Sequence, residues 1–378
     1  MSALASLAAR LGLGSRKLDL RRKLAAAVEA GDGPALTRLV ERERASFAAT
    51  RFGCRFTAHE RWREAPSFGG VAIRRAPDGL GAKAAIVSFA NGRPSYWLLV
   101  PGWQPPAARA QSIARLIIRI AHLHPLFEAC AAGGPAGRFV LDLDDTATAE
   151  KTVVGLSGPP DRVFLIPDQV FVATEGYADL AHSYRARWVP FAERDDRVFW
   201  RGRPTGQLPP GGTWRDLPRA RFVAECRRLA AAMPDVSFDV GLVKPDDAGP
   251  EWAEIEAAGL AAPFTPIETF VRQRVHVDID GNSNSWPGLL SKLLLGGAIL
   301  KVRSPYAQWY YDRLDGAVAW VAADLSDLGA AVGRLRTGEA ARLAAGAEAL
   351  AAAMTYAAEV ERARPVIAAA LAHWTPRL

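Results

Sequence analysis

The chain has 378 residues, 49% of them hydrophobic and 23% charged, and its mean hydropathy is close to zero. That length fits two domains rather than one core, and that composition excludes a largely disordered chain. Lys and Arg outnumber Asp and Glu by seven, which suits an anionic partner such as a nucleotide, a phosphate or an acidic headgroup without choosing among them. Only seven of the 47 basic residues are lysine, and such arginine-rich usage follows from GC-rich codons as readily as from a ligand.

Residues 3–49 read as two helices broken at Gly31–Gly33, with Leu20, Leu24, Val28 and then Leu36, Leu39, Val40 at helical spacing. Cys54, Cys130 and Cys226 lie far apart with no paired spacing, which argues against a disulfide framework or a zinc ribbon. Residues 84–101 read as strands stopped by Pro101-Gly102, and residues 108–131 as an apolar helix closed by Gly133-Gly134. Arg138 begins a buried strand that ends in Asp142, Asp144 and Asp145, and Arg162–Pro167 is a second strand, followed by a loop through Thr174-Glu175-Gly176-Tyr177. Further on, strands at 197–200, 236–243, 274–279 and 297–302 alternate with helices at 219–233 and after Trp286, and 329–371 is Ala-rich and helical. That alternation predicts two α/β domains with parallel sheets, split here into residues 1–190 and 191–378, with the final helices packing back on the first lobe. The most apolar stretches, Leu116–Leu126 and Leu289–Leu300, are too short to span a membrane, and no secretory signal is visible, so a cytoplasmic protein is expected.

In open parallel sheets a ligand sits beyond the carboxyl ends of the strands. Three polar loops occupy that place. Val140-Leu-Asp-Leu-Asp-Asp-Thr146 offers strand-end carboxylates and resembles the first motif of magnesium-dependent haloacid dehalogenase-type phosphatases, in which Asp142 and Asp144 would be nucleophile and acid/base. Phe199-Trp-Arg-Gly-Arg-Pro-Thr-Gly206 offers two guanidinium forks, Arg201 and Arg203, beside Gly202, whose amide can approach an anion, with Thr205 adding a hydroxyl. Asp280-Gly281-Asn282-Ser283-Asn284-Ser285-Trp286 leads into a helix whose amides face an anion, with one of Ser283, Asn284 and Ser285 as its cap and Trp286 free either to stack a base or to staple the helix. The six histidines form no metal constellation and read as structural.

Taken together, Phe139 to Leu328 resembles the CAP10-like glycosyltransferases, family 90. The resemblance is carried by Phe199-Trp-Arg-Gly202, Val277-Asp-Ile-Asp-Gly-Asn-Ser-Asn-Ser-Trp286, Leu290-Ser-Lys-Leu-Leu-Leu-Gly-Gly297, Tyr306-Ala-Gln-Trp-Tyr-Tyr-Asp312 and Asp324-Leu-Ser-Asp-Leu328, in that order. It implies a two-lobed GT-B fold and an inverting transferase with no cofactor and no metal, taking a nucleotide-sugar, UDP-linked rather than GDP-linked, to a hydroxyl of a bacterial surface glycan or glycolipid. It makes Asp145 the base, with Asp142, Thr174, Glu175 and Tyr177 on the acceptor side. It assigns the donor to Arg201, Gly202, Arg203, Thr205, Asp280, Gly281, Asn282, Ser283, Ser285 and Trp286. Many family members carry an arginine after the Asp-Gly-Asn segment; here Lys292 stands in that region and cannot form the same bidentate contact. A peripheral contact with the membrane face suits such an acceptor, and no nucleic-acid partner is expected. Two other readings stay open: the phosphatase, and a non-catalytic polyanion-binding module.

Overall fold

In the computed structural model the described residues are 83–100, 107–144, 153–246 and 248–373, with short pieces of the first 75 residues (22–23, 26–27, 30, 32, 34–35, 38–39, 53–54 and 70–75). Those pieces up to residue 39 are helical on either side of Asp32, whose carboxylate accepts from the Ala35 amide at 2.9 Å and caps the second helix. The chain divides into two compact units. The first comprises residues 1–156, 161–175 and 359–378, the second residues 157–160 and 176–358. The boundary therefore falls before 178–185 rather than at 190, because Tyr184 packs with Phe199, Phe270 and Leu295 of the second unit. Among the described residues no helix is long and apolar enough to cross a membrane.

The first unit holds a seven-stranded sheet: β1 (Gly53–Cys54), β2 (Gly70–Arg75), β3 (Ala84–Ala90), β4 (Arg93–Val100), β5 (Gly137–Asp142), β6 (Val153–Gly155) and β7 (Val163–Leu165), in the order β1-β2-β4-β3-β5-β6-β7. It is mostly parallel but not wholly so. β3 runs antiparallel to both β4 and β5, and Asn91-Gly92, both with positive φ, make the tight hairpin turn between β3 and β4. Helix α1 (Ala107–Ala131) covers this sheet with Phe127, which meets Phe89 and Phe139 at 6.4 and 5.8 Å between ring centres. His124 is spent in this core on the Tyr96 hydroxyl, 2.6 Å away, as a structural histidine should be. Helix α2 (Gln169–Ala173) follows β7.

The second unit is a doubly wound α/β domain. Its five strands, β8 (Asp195–Gly202), β9 (Ser237–Leu242), β10 (Gln273–Asp278), β11 (Ala298–Val302) and β12 (Ala319–Val321), are all parallel, in the order β12-β11-β10-β8-β9. Side chains alternate across it. Val198, Trp200, Val275 and Val277 point into a core shared with α4 (Pro218–Ala232) and α5 (Glu251–Ala257). Phe199 and its neighbour His276 lie on the other face, with α3 (Ala178–Arg185) and α6 (Trp286–Leu295). A sheet covered on both faces carries near-continuous apolar strands, as β11 does. Helices α7 (Leu328–Arg334), α8 (Ala340–Ala353) and α9 (Tyr356–Ala372) complete the chain, and the residues of α9 from Glu359 onward belong to the first unit.

Candidate functional site

The strand order of the second unit reverses direction between β8 and β10: the chain moves from β8 outward to β9, then returns to the other side of β8 as β10. Loops leaving adjacent strands in opposite directions open a crevice, and in folds of this class the ligand lies there. A cavity of about 670 Å³ occupies that place, bounded by the ends of β8 and β10, the start of α6 and the segment 264–268. Its wall carries five cations, Arg201, Arg203, Arg219, Lys244 and Lys292, against two carboxylates, Asp246 and Glu268.

The two loops at this crevice are locked together at close range. A Cβ placed on Gly281 would lie 2.7 Å from Thr205 Oγ1 and 3.1 Å from Arg219 Cζ, and one on Gly202 would lie 2.4 Å from the Trp200 indole, so both positions require glycine. Arg219, from the first turn of α4, makes the join. Its Nε donates to the Asp280 carbonyl at 3.1 Å, Nη1 to Thr205 Oγ1 at 2.7 Å and to the Arg203 carbonyl, and Nη2 to the Ile279 carbonyl. Among the described residues it has no carboxylate within ion-pair distance. Burial lowers its pKa from the ordinary value, and the charges of Asp278 and Asp280 oppose that. Nothing in the sequence distinguished Arg219 from the arginines around it.

Arg201 is held differently from expectation. Its Nη2 stands 2.5 Å from Asp239 Oδ1, Nη1 donates to the Asp239 and Trp200 carbonyls, and the guanidinium lies 4.7 Å from the centre of the Phe199 ring. Its charge is therefore shared with β9, while Nε is buried with no hydrogen-bond partner in the cavity wall. Arg203 pairs with Asp246 at the exposed rim, 3.1 Å away. Lys244 makes no ion pair among the described residues.

Lys292, on α6, reaches the cavity from above a buried ion network. Its Nζ stands 2.8 Å from Asp278 Oδ1 and 3.1 Å from the Gly288 carbonyl, which uses two of three ammonium donors and leaves one for the cavity. Lys301, fully buried on β11, bridges Asp278 Oδ2 at 2.9 Å and Asp280 Oδ1 at 2.6 Å. Burial pushes the Asp278 carboxyl up, but Lys292 and Lys301 outweigh it and hold the group well below the usual range. Asp280 moves the other way, raised by burial and by its like-charged neighbour Asp278. Two carboxylates balance two ammonium groups in this network, so Lys292 brings the cavity a free hydrogen-bond donor rather than an uncompensated charge.

The helix-capping expectation for the following loop is corrected. Ser285 precedes α6 but does not cap it; its hydroxyl donates to Asp278 Oδ1 at 2.6 Å. Asn284 is taken up by Asp280, the Tyr306 carbonyl and the Tyr311 hydroxyl, and accepts from Ser157 at 2.6 Å. Ser283 is buried, and Trp286 is packed away at 9% exposure rather than facing the cavity. Of the expected donor residues, Arg201, Gly202, Arg203, Ser285 and Lys292 line the crevice cavity; Thr205 and Asn282 line a neighbouring one; Asp280, Gly281, Ser283 and Trp286 line neither.

Two further side chains belong to the cavity and were missed. His276 is buried, with neither ring nitrogen hydrogen-bonded in the structure, and burial, Lys292 and Arg194 hold its pKa at about 3. Phe264 is 74% exposed at the mouth, between Pro263 and Pro266. Unpaired buried polar atoms, Arg201 Nε and the His276 ring nitrogens, and an exposed aromatic ring thus share one cation-rich crevice.

On the first unit, Asp144 is paired with Lys83 at 2.7 Å and its amide donates to Asp142 Oδ1, also at 2.7 Å. Thr174 donates to the Val170 carbonyl at 2.7 Å, Glu175 is exposed with φ of 49°, and Tyr177, in the second unit, is buried with φ of 62°. Asp145 lies outside the described residues. Asp168, which the sequence reading passed over, is fully buried three residues beyond β7, where burial raises its pKa to about 6, and caps α2 through the Val170 and Phe171 amides. No protein-family model matches the chain, and no curated protein matches it.

Proposed function

We propose that the second unit binds a nucleotide diphosphate in the β8/β10 crevice, and that the chain is an inverting, nucleotide-sugar-dependent glycosyltransferase of GT-B type. The observation that carries this reading is the cavity of about 670 Å³ at the switch point, five cations against two carboxylates, with Phe264 exposed at one end. That volume lies within the range for small-molecule sites, roughly 300–1,000 Å³. A diphosphate would lie towards Lys292, Arg201 and Arg219, and a base towards Phe264.

Transfer would form a bond from the acceptor oxygen to the anomeric carbon and break the bond to the diphosphate, with the hydroxyl proton passing to a carboxylate base. Asp145 is the proposed base and the nucleotide the leaving group. Fixed cations aimed at charge that grows on the leaving oxygen supply the electrostatic part of catalysis, and losing one such donor costs roughly 100- to 1,000-fold in rate. A surface glycan or glycolipid is the proposed acceptor class. The phosphatase reading is less well supported, because Asp144 is engaged by Lys83 and Asp142 accepts from the Asp144 amide.

The test is an assay of donor hydrolysis and transfer with a panel of UDP- and GDP-sugars in EDTA. The reading predicts slow hydrolysis of at least one UDP-sugar, abolished transfer in Asp145→Asn, and nucleotide affinity in that variant close to wild type. Phenyl phosphate turnover with magnesium that is lost in EDTA and in Asp142→Asn, with no response to any nucleotide, would replace it with the phosphatase.

A further inference from the structure

A second cavity, of about 650 Å³, opens beside the first at the same end of the sheet, with the loops that Arg219 ties together between them. Its wall includes Leu208, Trp214 and Ile255 on the apolar side and Thr205, Glu251 and Glu254 on the polar side. Its electrostatics invert those of its neighbour. The one cation in its wall, Arg215, is already paired with Glu254 at 2.9 Å, so Glu251 is left in excess. Glu251 makes no ion pair or side-chain hydrogen bond among the described residues.

Trp214 is held in place before any ligand arrives. Its Nε1 donates to Glu254 Oε2 at 3.1 Å, and the Arg215 guanidinium lies 4.3 Å from the ring centre. Leu208, 49% exposed, leaves an apolar surface beside it. Thr205 Oγ1 accepts from Arg219 and keeps its own proton to donate. A ligand for this cavity must cover an indole and aliphatic carbons and also supply hydrogen-bond donors, because ionised carboxylates only accept. An anion is repelled by Glu251, and a purely apolar molecule would leave the Glu251 carboxylate with neither water nor a donor. A saccharide meets every condition: its ring presents C–H groups on one side and hydroxyl donors around its edge.

The geometry points to this second cavity as a saccharide-binding site for an uncharged or amino sugar of one or two rings, separate from the nucleotide crevice. Isothermal titration and ligand-observed saturation-transfer NMR with glucose, galactose, glucosamine, lactose and maltose test it, on wild type and on Glu251→Gln and Trp214→Phe. At least one of these sugars binds in the millimolar range. The Glu251→Gln substitution weakens it about tenfold, and Trp214→Phe changes which sugar protons receive saturation. Saturating sugar leaves a separate UDP titration unchanged. Three results overturn the assignment: no sugar of the panel binds the folded protein, sugar binding survives both substitutions unaltered, or UDP displaces the sugar. A basic peptide that binds where no sugar does also overturns it. If UDP fails to bind while sugar binding depends on Glu251, the nucleotide reading falls and this one stands.

Discussion

Two cavities of nearly equal volume open at one end of the second unit's sheet, and their charge is opposite. The difference comes from where each wall originates. The first takes its side chains from the end of β8, the start of α4 and the stretch from Ser285 along α6 to Lys292, which bring Arg201, Arg203, Arg219 and Lys292 to one crevice. The second is walled by the first turn of α5, where Glu251 and Glu254 sit beside the helix's positive end, a place that favours acidic side chains. One end of the sheet thus carries a cation-rich cavity and an acidic one about a shared partition. The partition is Arg219, whose donors reach both loops.

The comparison breaks most severely if the buried network beneath Lys292 is disrupted. Lys301→Met leaves Asp278 and Asp280 buried against Lys292 alone, and stability falls by about 3–5 kcal/mol, as when one partner of a buried ion pair is removed. Urea denaturation reads this; a loss under about 1 kcal/mol would show that the four ions are not coupled. Next in size, Arg219→Met loosens the partition and removes a cation from the first cavity. UDP affinity then drops roughly 50-fold, the equivalent of about 2–3 kcal/mol at a charged hydrogen-bonding group. Arg219→Lys does not restore it, because an ammonium cannot reach three carbonyls and a hydroxyl in one plane.

A smaller effect sharpens the contrast between the cavities. Lys292→Ala weakens UDP about tenfold and reduces the salt dependence of binding, while sugar binding is unaltered. Equal losses for both ligands would mean one continuous site. The smallest expected effect is a null result with pH. His276, held at about 3, stays neutral in the folded protein above that value. The affinity for a UDP-sugar, whose diphosphate does not titrate there, is therefore flat between pH 8 and 5, whereas an imidazole at its ordinary value would add a cation and raise affinity in acid. Stability follows the opposite-facing linkage. The folded pKa lies below the unfolded one, so the contribution is full above about pH 6.5 and is lost as pH falls from there towards 3. In His276→Gln that part of the acid slope between pH 6 and 4 disappears.

The strands and polar loops of the second unit were legible because a sheet covered on both faces demands apolar runs, and turn residues punctuate them. Lys301 was legible too, in principle: a lysine inside Ala298–Val302 must find buried carboxylates, and Asp278 and Asp280 lie at the end of the adjacent strand. Arg219 was not, because its role depends on a loop-to-loop approach permitted by Gly281, a tertiary fact without local signal. The antiparallel place of β3 was marked by Asn91-Gly92, a hairpin dipeptide that the alternation of strands and helices overshadowed. Arg201 illustrates the opposite difficulty. The motif foretold a strand-end guanidinium at the crevice, but Asp239 on β9 holds it, and pairing across strands has no spacing in sequence.

The most direct test of the nucleotide crevice is a crystal structure of the protein with UDP. The account predicts the diphosphate against the free donor of Lys292 and near Arg201 and Arg219, with the uracil ring towards Phe264. Density for UDP in the cavity walled by Trp214 and Glu251, or none in the β8/β10 crevice at saturating nucleotide, would contradict it.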